Sequence, residues 1–194
     1  LDRLAAPDAI LASSTSTIVP SRFTEALKGR HRCLVAHPVN PPHLVPLLEL
    51  IGAPWTAAET ISQAKTTYEL VGQVPIVVQR EIDGFILNRL QAVLLSEAFR
   101  LAGEGYVTPE DLDKTLKDGL GLRWSFMGPF ETIDLNAPAG VKDYAKRYGP
   151  QNRAAMAGVQ PFSWADDTVE RVDGERRKQL DVAEIGARSA WRDR

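Results

Sequence analysis

Two residues in the first third of the chain have the chemistry of an acid–base pair. His37 closes the apolar run Cys33-Leu34-Val35-Ala36 and is followed by Pro38-Val39-Asn40-Pro41-Pro42. Prolines remove backbone donors and fix φ, so this segment leaves a strand as a stiff extended loop, at the carboxyl end where open α/β sheets place their ligands. An imidazole there either bonds a backbone carbonyl or exchanges protons with a ligand near neutral pH. Glu49 interrupts Val45-Pro46-Leu47-Leu48-Glu49-Leu50-Ile51. So apolar a run leaves its carboxylate two choices, to face water from an edge strand or to be buried with a partner. A buried acid would orient an imidazole and stabilise its protonated form, and His37 with Glu49 would make such a dyad.

Other polar groups invite the same question. Ser13-Ser14-Thr15-Ser16-Thr17 follows the first apolar run, where hydroxyls form turns or cap helices as readily as they bind ligands. Asn88 falls in the first turn of a long apolar helix, and a buried amide there needs partners, of which a ligand could be one. Gly103-Glu104-Gly105 ends a helix instead of opening one after a strand, so it reads as a terminator and not as a phosphate loop. His31, His37 and His43 share no metal-ligand spacing and have no cysteine partners, so no metal site is expected. The lone Cys33 reads as a buried strand residue.

The elements that must hold these groups follow from periodicity. Ala9–Ala12, Cys33–Ala36 and Val74–Val78 read as buried strands, with Leu47–Ile51 as a fourth. Thr56-Ala57-Ala58-Glu59 reads as a capping box for a helix in which Ile61, Ala64, Tyr68 and Val71 recur at helical spacing before Gly72. Strand, helix, strand is the α/β pattern. After residue 80 the character changes. Asp83 is placed to cap a helix over 84–102 with two apolar stripes, Ile86, Leu90, Val93, Leu94 and Leu101 on one and Ala92, Leu95 and Phe99 on the other, which predicts a helix covered on most sides. Further helices are expected from Thr108-Pro109 through Leu116, over Pro129–Leu135 and over Ala139–Tyr148, with a polar surface helix pair over 151–194. The reading is α/β over 1–80 followed by an all-helical region over 81–194.

Composition sets limits. The 194 residues are 44% hydrophobic and 25% charged with a net charge of −2, ordinary values for a globular chain and a poor match for a nucleic-acid or membrane-surface footprint. No run of about 18 apolar residues and no charged-then-apolar leader is present, so a cytoplasmic location is expected. Leu1-Asp2-Arg3-Leu4 reads as the last turn of a helix leading into a strand, which predicts a chain that starts inside an α/β domain.

Taken together, Ala12-Ser13-Ser14-Thr15-Ser16, the stretch from Ala36-His37-Pro38 to Leu48-Glu49-Leu50, and Gly84-Phe85-Ile86-Leu87-Asn88-Arg89-Leu90 resemble the 3-hydroxyacyl-CoA dehydrogenase family. The likeness continues through Glu104 to Asp113 and Gly128-Pro129-Phe130-Glu131. Pro38-Val39 in place of two aromatics, the Arg123-Trp124 insertion and Ala190-Trp191-Arg192-Asp193 resemble its λ-crystallin branch, whose vertebrate members are L-gulonate 3-dehydrogenases. The resemblance implies the C-terminal part of an NAD-binding Rossmann-type domain followed by a helical domain that forms a homodimer. It implies oxidation of a 3-hydroxy group to a 3-keto group in a small 3-hydroxy acid or 3-hydroxyacyl-CoA. His37 would be the catalytic base and Glu49 its orienting acid. Ser16 and Asn88 would bind substrate and help place its reacting oxygen, and Ser16 and Asn40 would contact NAD. The family's glycine-rich strand-turn-helix and ribose-binding acid are not among these residues, so the segment by itself is expected to hold NAD weakly. Two other readings stand beside this one. One is a structural or dimerisation module without activity; the other, a hydrolase using a serine with His37 and Glu49, lacks a glycine-flanked serine elbow.

Overall fold

A computed structural model of the chain describes residues 1–156 and 166–192. Two compact units divide it, one of Leu1–Ala92 with Ser189–Arg194, the other of Val93–Arg188. The division at Ala92 and Val93 falls inside one helix, Leu87–Gly103.

The first unit is a four-stranded sheet in the order β1 (Leu11–Ser13), β2 (Cys33–Pro38), β3 (Leu47–Gly52), β4 (Val74–Val78). The pairs β1–β2 and β3–β4 are parallel and β2–β3 is antiparallel. All four expected strands are present, Val74–Val78 with the bounds expected and the other three shifted by a residue or two at their ends. Because side chains alternate across a strand, each strand divides its residues between two cores. Leu34, Ala36, Leu48 and Leu50 pack on Ala64 of α2 (Ala58–Leu70), with Ile61 and Tyr68 beside it. Val35, Ile51 and Val78 face the other way and enclose Val19 and Phe85. His37 and Glu49 share the parity of this second face. A short helix, α1 (Ser21–Thr24), precedes β2.

Helix α2 starts without the capping box. The Thr56 hydroxyl donates to the Cys33 carbonyl (2.7 Å) and accepts from the Ala53 amide (2.9 Å), so it fastens the helix start to β2 and leaves no side-chain cap at Ala57. The C-terminus matches expectation. Gly72 has φ +83°, and the amides of Gly72 and Gln73 donate to the carbonyls of Glu69 and Tyr68, the pair of bonds by which a left-handed glycine closes a helix.

Residues 1–9 are tied to the sheet through Arg32, which is buried. Its guanidinium donates to the carbonyls of Asp2, Ala6 and Ala9 and pairs with the Asp2 carboxylate at 3.0 Å. Asp2 also accepts from the Gly29 amide at 3.1 Å.

After β4, α3 (Leu87–Gly103) leads into α4 (Pro109–Lys114), a wider π turn over Thr115–Leu120, α5 (Gly121–Trp124), α6 (Pro129–Leu135), α7 (Gly140–Ala155), α8 (Asp166–Gln179) and α9 (Ile185–Arg192). The Thr108 hydroxyl accepts from the Asp111 amide and caps α4 as the sequence suggests. Gly105, at φ +78°, terminates α3. Three expectations need correction. Helix α3 begins three residues later than read and Asp83 does not cap it; its carboxylate pairs with Arg22 at the surface, 3.2 Å away. The stripe of Ile86, Leu90 and Val93 is open, with Leu90 66% exposed, while the second stripe supplies Leu95 and Phe99 to an apolar pocket with Pro109 and Leu112. Helix α7 runs past Tyr148 and carries Pro150 within it. Of the surface helix pair expected over 151–194, α8 and α9 are described, whereas 157–165 and 193–194 lie outside the described residues. Among the described residues no helix is long and apolar enough to cross a membrane, and no group of three or more His, Cys, Asp or Glu is gathered to hold a metal ion.

The Asp2–Arg32 tie carries a pH signature. The Gly29 amide first and the Arg32 guanidinium second hold the Asp2 carboxyl below its usual value. A depressed acid stabilises the fold above its unfolded pKa, about 3.9 for Asp, and loses that contribution as pH falls through the lower folded value. Asp2→Asn is therefore expected to lower the melting temperature at neutral pH, with the gap to wild type closing only once pH drops below the ordinary carboxylate range. Paired thermal melts at neutral and strongly acidic pH check this; a constant gap would show that the effect is steric.

Candidate active site

The antiparallel register of β2 and β3 sets His37 directly opposite Glu49. Neighbouring side chains on one face of such a pair stand within reach of each other. The His37 Nδ1 atom lies 2.8 Å from Glu49 Oε2, and both groups are buried, Glu49 completely. Of the two options for Glu49, exposure at an edge or burial with a partner, the second is the one realised, because β3 is an interior strand with β2 on one side and β4 on the other.

The other carboxylate oxygen has partners that the sequence did not announce. Oε1 accepts from the amide of Ile86 at 2.8 Å and from that of Leu87 at 3.0 Å, at the N-terminus of α3. The first amides of a helix have no intrahelical acceptor, and here a glutamate 37 residues upstream supplies it. Its negative charge also lies at the positive end of the helix dipole. An ionised carboxylate can only accept, so the proton of a neutral His37 ring resides on Nδ1, and Nε2 is the nitrogen with a lone pair for chemistry.

The backbone that makes this possible is unusual. Gly84 and Phe85 both adopt left-handed conformations, φ +76° and +52°. Glycine takes this at no steric cost, but a bulky residue is strained there. Phe85 is fully buried, and its ring centroid lies 5.4 Å from that of His37 with the planes tilted by 57°. Sequence reasoning missed Phe85. The available signal was that it follows a glycine and belongs to neither apolar stripe of α3.

The remaining expected residues divide. Asn88, half-buried on the first turn of α3, donates from Nδ2 to the Ser16 carbonyl at 2.8 Å, so the two are brought together through the Ser16 main chain. In the hydroxyl run, Ser13 Oγ accepts from the Thr15 amide and Thr15 Oγ1 from the Ile18 amide, turn-forming uses of two of the five. Ser16 and Asn40 are exposed, on the loops that follow β1 and β2. Since β1 and β2 are parallel, those loops leave the sheet at the same end, the carboxyl end of both strands.

Burial of a charged group with three donors gives graded consequences for its removal. Glu49→Ala leaves two amides and a ring N–H without an acceptor and is expected to destabilise by about 3–5 kcal/mol. Glu49→Gln keeps an acceptor but loses the charge, with a smaller cost of about 1–3 kcal/mol. Urea unfolding of both variants checks the order; an alanine variant as stable as wild type would mean that the carboxylate is not the hub of these contacts.

Comparison with known proteins bears on what this geometry belongs to. Residues 1–82 match the family model for the NAD binding domain of 3-hydroxyacyl-CoA dehydrogenase, and residues 84–178 match that for its C-terminal domain. The lambda-crystallin homolog of Rattus norvegicus is 42% identical over 100% of this chain and 61% of its own length. An L-carnitine dehydrogenase of a Pseudomonas species is 44% identical over 97% of this chain and 59% of its own. Among solved structures, a 3-hydroxyacyl-CoA dehydrogenase from Archaeoglobus fulgidus superposes with a TM-score of 0.66 at 29% identity, covering 87% of this chain and 56% of that one. The chain thus spans about three-fifths of the length of the curated relatives it matches. A buried His–Glu pair on a mixed α/β sheet, followed by a helical unit and matched by both family models in sequence order, has one consistent home: the chain belongs to the 3-hydroxyacyl-CoA dehydrogenase family.

Proposed function

We propose that the protein containing this chain is an NAD-dependent oxidoreductase that oxidises the 3-hydroxy group of a small 3-hydroxy acid, or of its CoA thioester, to a 3-keto group. The observation that carries this reading is the 2.8 Å contact between His37 Nδ1 and the buried Glu49 carboxylate. Glu49 holds the ring in the tautomer with its lone pair on Nε2, and its charge favours the imidazolium that forms when Nε2 takes the proton of the substrate hydroxyl. Asn88, anchored on the Ser16 carbonyl, is the amide beside which the reacting oxygen would sit, with Ser16 as its neighbour. The exposed Ser16 and Asn40, on loops that leave the carboxyl ends of the parallel strands β1 and β2, fit contacts to the nicotinamide half of NAD, since ligands of open α/β sheets bind beyond the carboxyl ends of the strands. When bound, NAD supplies the hydride acceptor. The branch likeness favours a sugar acid such as L-gulonate, and the relatives named L-carnitine dehydrogenase keep other small 3-hydroxy acids in view.

A substrate panel of L-gulonate, L-carnitine and 3-hydroxybutyryl-CoA, run on the full-length protein with NADH absorbance as readout, tests the reaction class. In the same protein His37→Gln is expected to lower turnover by roughly a hundred- to ten-thousandfold with little change in KM, the range for loss of a general base. Because Glu49 acts through His37, the double variant with Glu49→Gln should be hardly worse than His37→Gln alone. Independent, multiplying losses would make Glu49 a separate structural acid, and retention of most of the wild-type rate by His37→Gln would end the general-base assignment.

We further infer that the helical unit associates with a second copy. Leu122, Phe126, Phe130 and Leu135 are all more than half exposed within one short stretch from α5 through the turn to α6, a concentration of large apolar side chains that favours an interface. Light scattering at micromolar concentration should report a dimer; a monomer would remove this inference.

A further inference from the structure

We propose that Phe85 is a positioning residue for the His37–Glu49 pair, acting through a left-handed elbow at Gly84-Phe85 that fixes the imidazole and the start of α3 as one unit. The kinetic part of this proposal rests on the reaction proposed above; the structural part does not.

Three observations converge on Phe85. Its ring is fully buried and lies against the His37 imidazole, 5.4 Å between centroids. Glu49 fixes one edge of that imidazole at Nδ1 but does not stop the ring from rocking about the Nδ1 contact, whereas a tilted aromatic neighbour restricts that motion. Second, the same side chain closes a core with Val19, Val35 and Ile51. These residues stand three positions from Ser16, two from His37 and two from Glu49, so the ring packs in the core beneath the segments that carry those three residues. Third, the main chain of Phe85 is where the polypeptide turns. Its amide donates to the Ile82 carbonyl at 3.1 Å, and its left-handed φ directs the next two amides, of Ile86 and Leu87, to Glu49 Oε1.

A strained φ on a bulky, non-glycine residue persists only when the surroundings over-determine it. Here the determinants are the buried ring on one side and the two amide bonds to Glu49 on the other. Filling the core with a ringless side chain removes the first. The elbow can then relax toward an ordinary φ, which swings the two amides away from Glu49 and with them the first turn of α3 that carries Asn88. The expected result is a loss of alignment between the proton-accepting nitrogen and the amide, with the binding groups still present.

The test uses Phe85→Leu in the full-length protein, with Val78→Ala as a control that opens the same core from β4 while the Phe85 side chain is kept. Phe85→Leu is expected to lower kcat by roughly ten- to a hundredfold, as for a misplacement on the order of an ångström, with KM little changed and with kcat of the control near wild type. Hydrogen exchange gives a readout without turnover: in Phe85→Leu the amides of Ile86 and Leu87 should exchange faster relative to the amide of Val35 in β2, and in Val78→Ala that ratio should hold. Equal effects of the two substitutions, or an unchanged kcat and exchange ratio in Phe85→Leu, would overturn the proposal. If Phe85→Leu does not fold, Phe85→Met is read in the same way, and the unsubstituted protein supplies a further arm. There Ile86 and Leu87 should be protected well beyond Asn88 and Arg89, the next amides of the same first turn; equally fast exchange of all four would overturn the elbow. Failure of the function proposal looks different, since His37→Gln would then keep its rate while the exchange pattern stands.

Discussion

A carboxylate with no solvent exposure governs the architecture of the first unit. Removing such an ion from water costs several kcal/mol even after relaxation, so Glu49 can occupy its place in β3 only if donors surround it. The fold provides three: the ring N–H of His37 and the amides of Ile86 and Leu87. Each has a structural precondition. The histidine must stand directly across the strand pair, which requires the antiparallel register of β2 with β3. The amides must come from the unsatisfied start of a helix, which requires the chain after β4 to turn back over the sheet face that carries Glu49. The turn in turn requires left-handed backbone at Gly84 and Phe85.

The helix dipole and the individual hydrogen bonds both favour this contact, and their sizes decide which matters more. A charge near a helix end is worth about 0.3–1 kcal/mol at a surface and up to about 2 in partly buried sites. A hydrogen bond to a charged group contributes about 1.5–3 kcal/mol. The two effects share the same amides and do not simply add, but the short-range bonds dominate, which makes the arrangement depend on direction as well as on charge. That dependence explains why the backbone accepts strain at Phe85: a helix start displaced by one residue would still present its dipole to Glu49 but would aim its amides elsewhere.

Much of this was legible in the sequence. Strands reveal themselves by short apolar runs, and the acid inside one of those runs identified Glu49 as a residue that must be solvated or partnered. The histidine at the end of another run was the natural partner, and the register brought them together. What could not be read was the third member of the contact. The link from Glu49 to Ile86 and Leu87 crosses 37 and 38 residues of sequence, and local capping rules pointed instead to Asp83, the nearest residue of the right type. The same locality misled at Thr56, whose hydroxyl is taken by Cys33 and Ala53 before any capping box can form. At the start of α3 a distant carboxylate took the amides that a local cap would have served; at Thr56 the acceptor is taken by the nearby Ala53 amide while the hydroxyl proton goes to the distant Cys33 carbonyl. The helix α3 stripes failed for a different reason: periodicity reports which face is apolar, not whether anything covers it.

The candidate site residues differ in how far they are fixed before a ligand arrives. His37 is held by Glu49 and Phe85, and Asn88 by the Ser16 carbonyl, so the groups that would exchange a proton and bind the reacting oxygen are already oriented. Ser16 and Asn40 lie exposed on loops, where water satisfies them and a ligand must displace it. Charge reorganisation during a reaction is cheapest when the dipoles that respond to it are immobile beforehand, whereas recognition of a ligand tolerates groups that settle on binding. The burial gradient from Glu49 outward to Asn40 follows that division, with rigidity concentrated where a proton would move and freedom left where a molecule would dock.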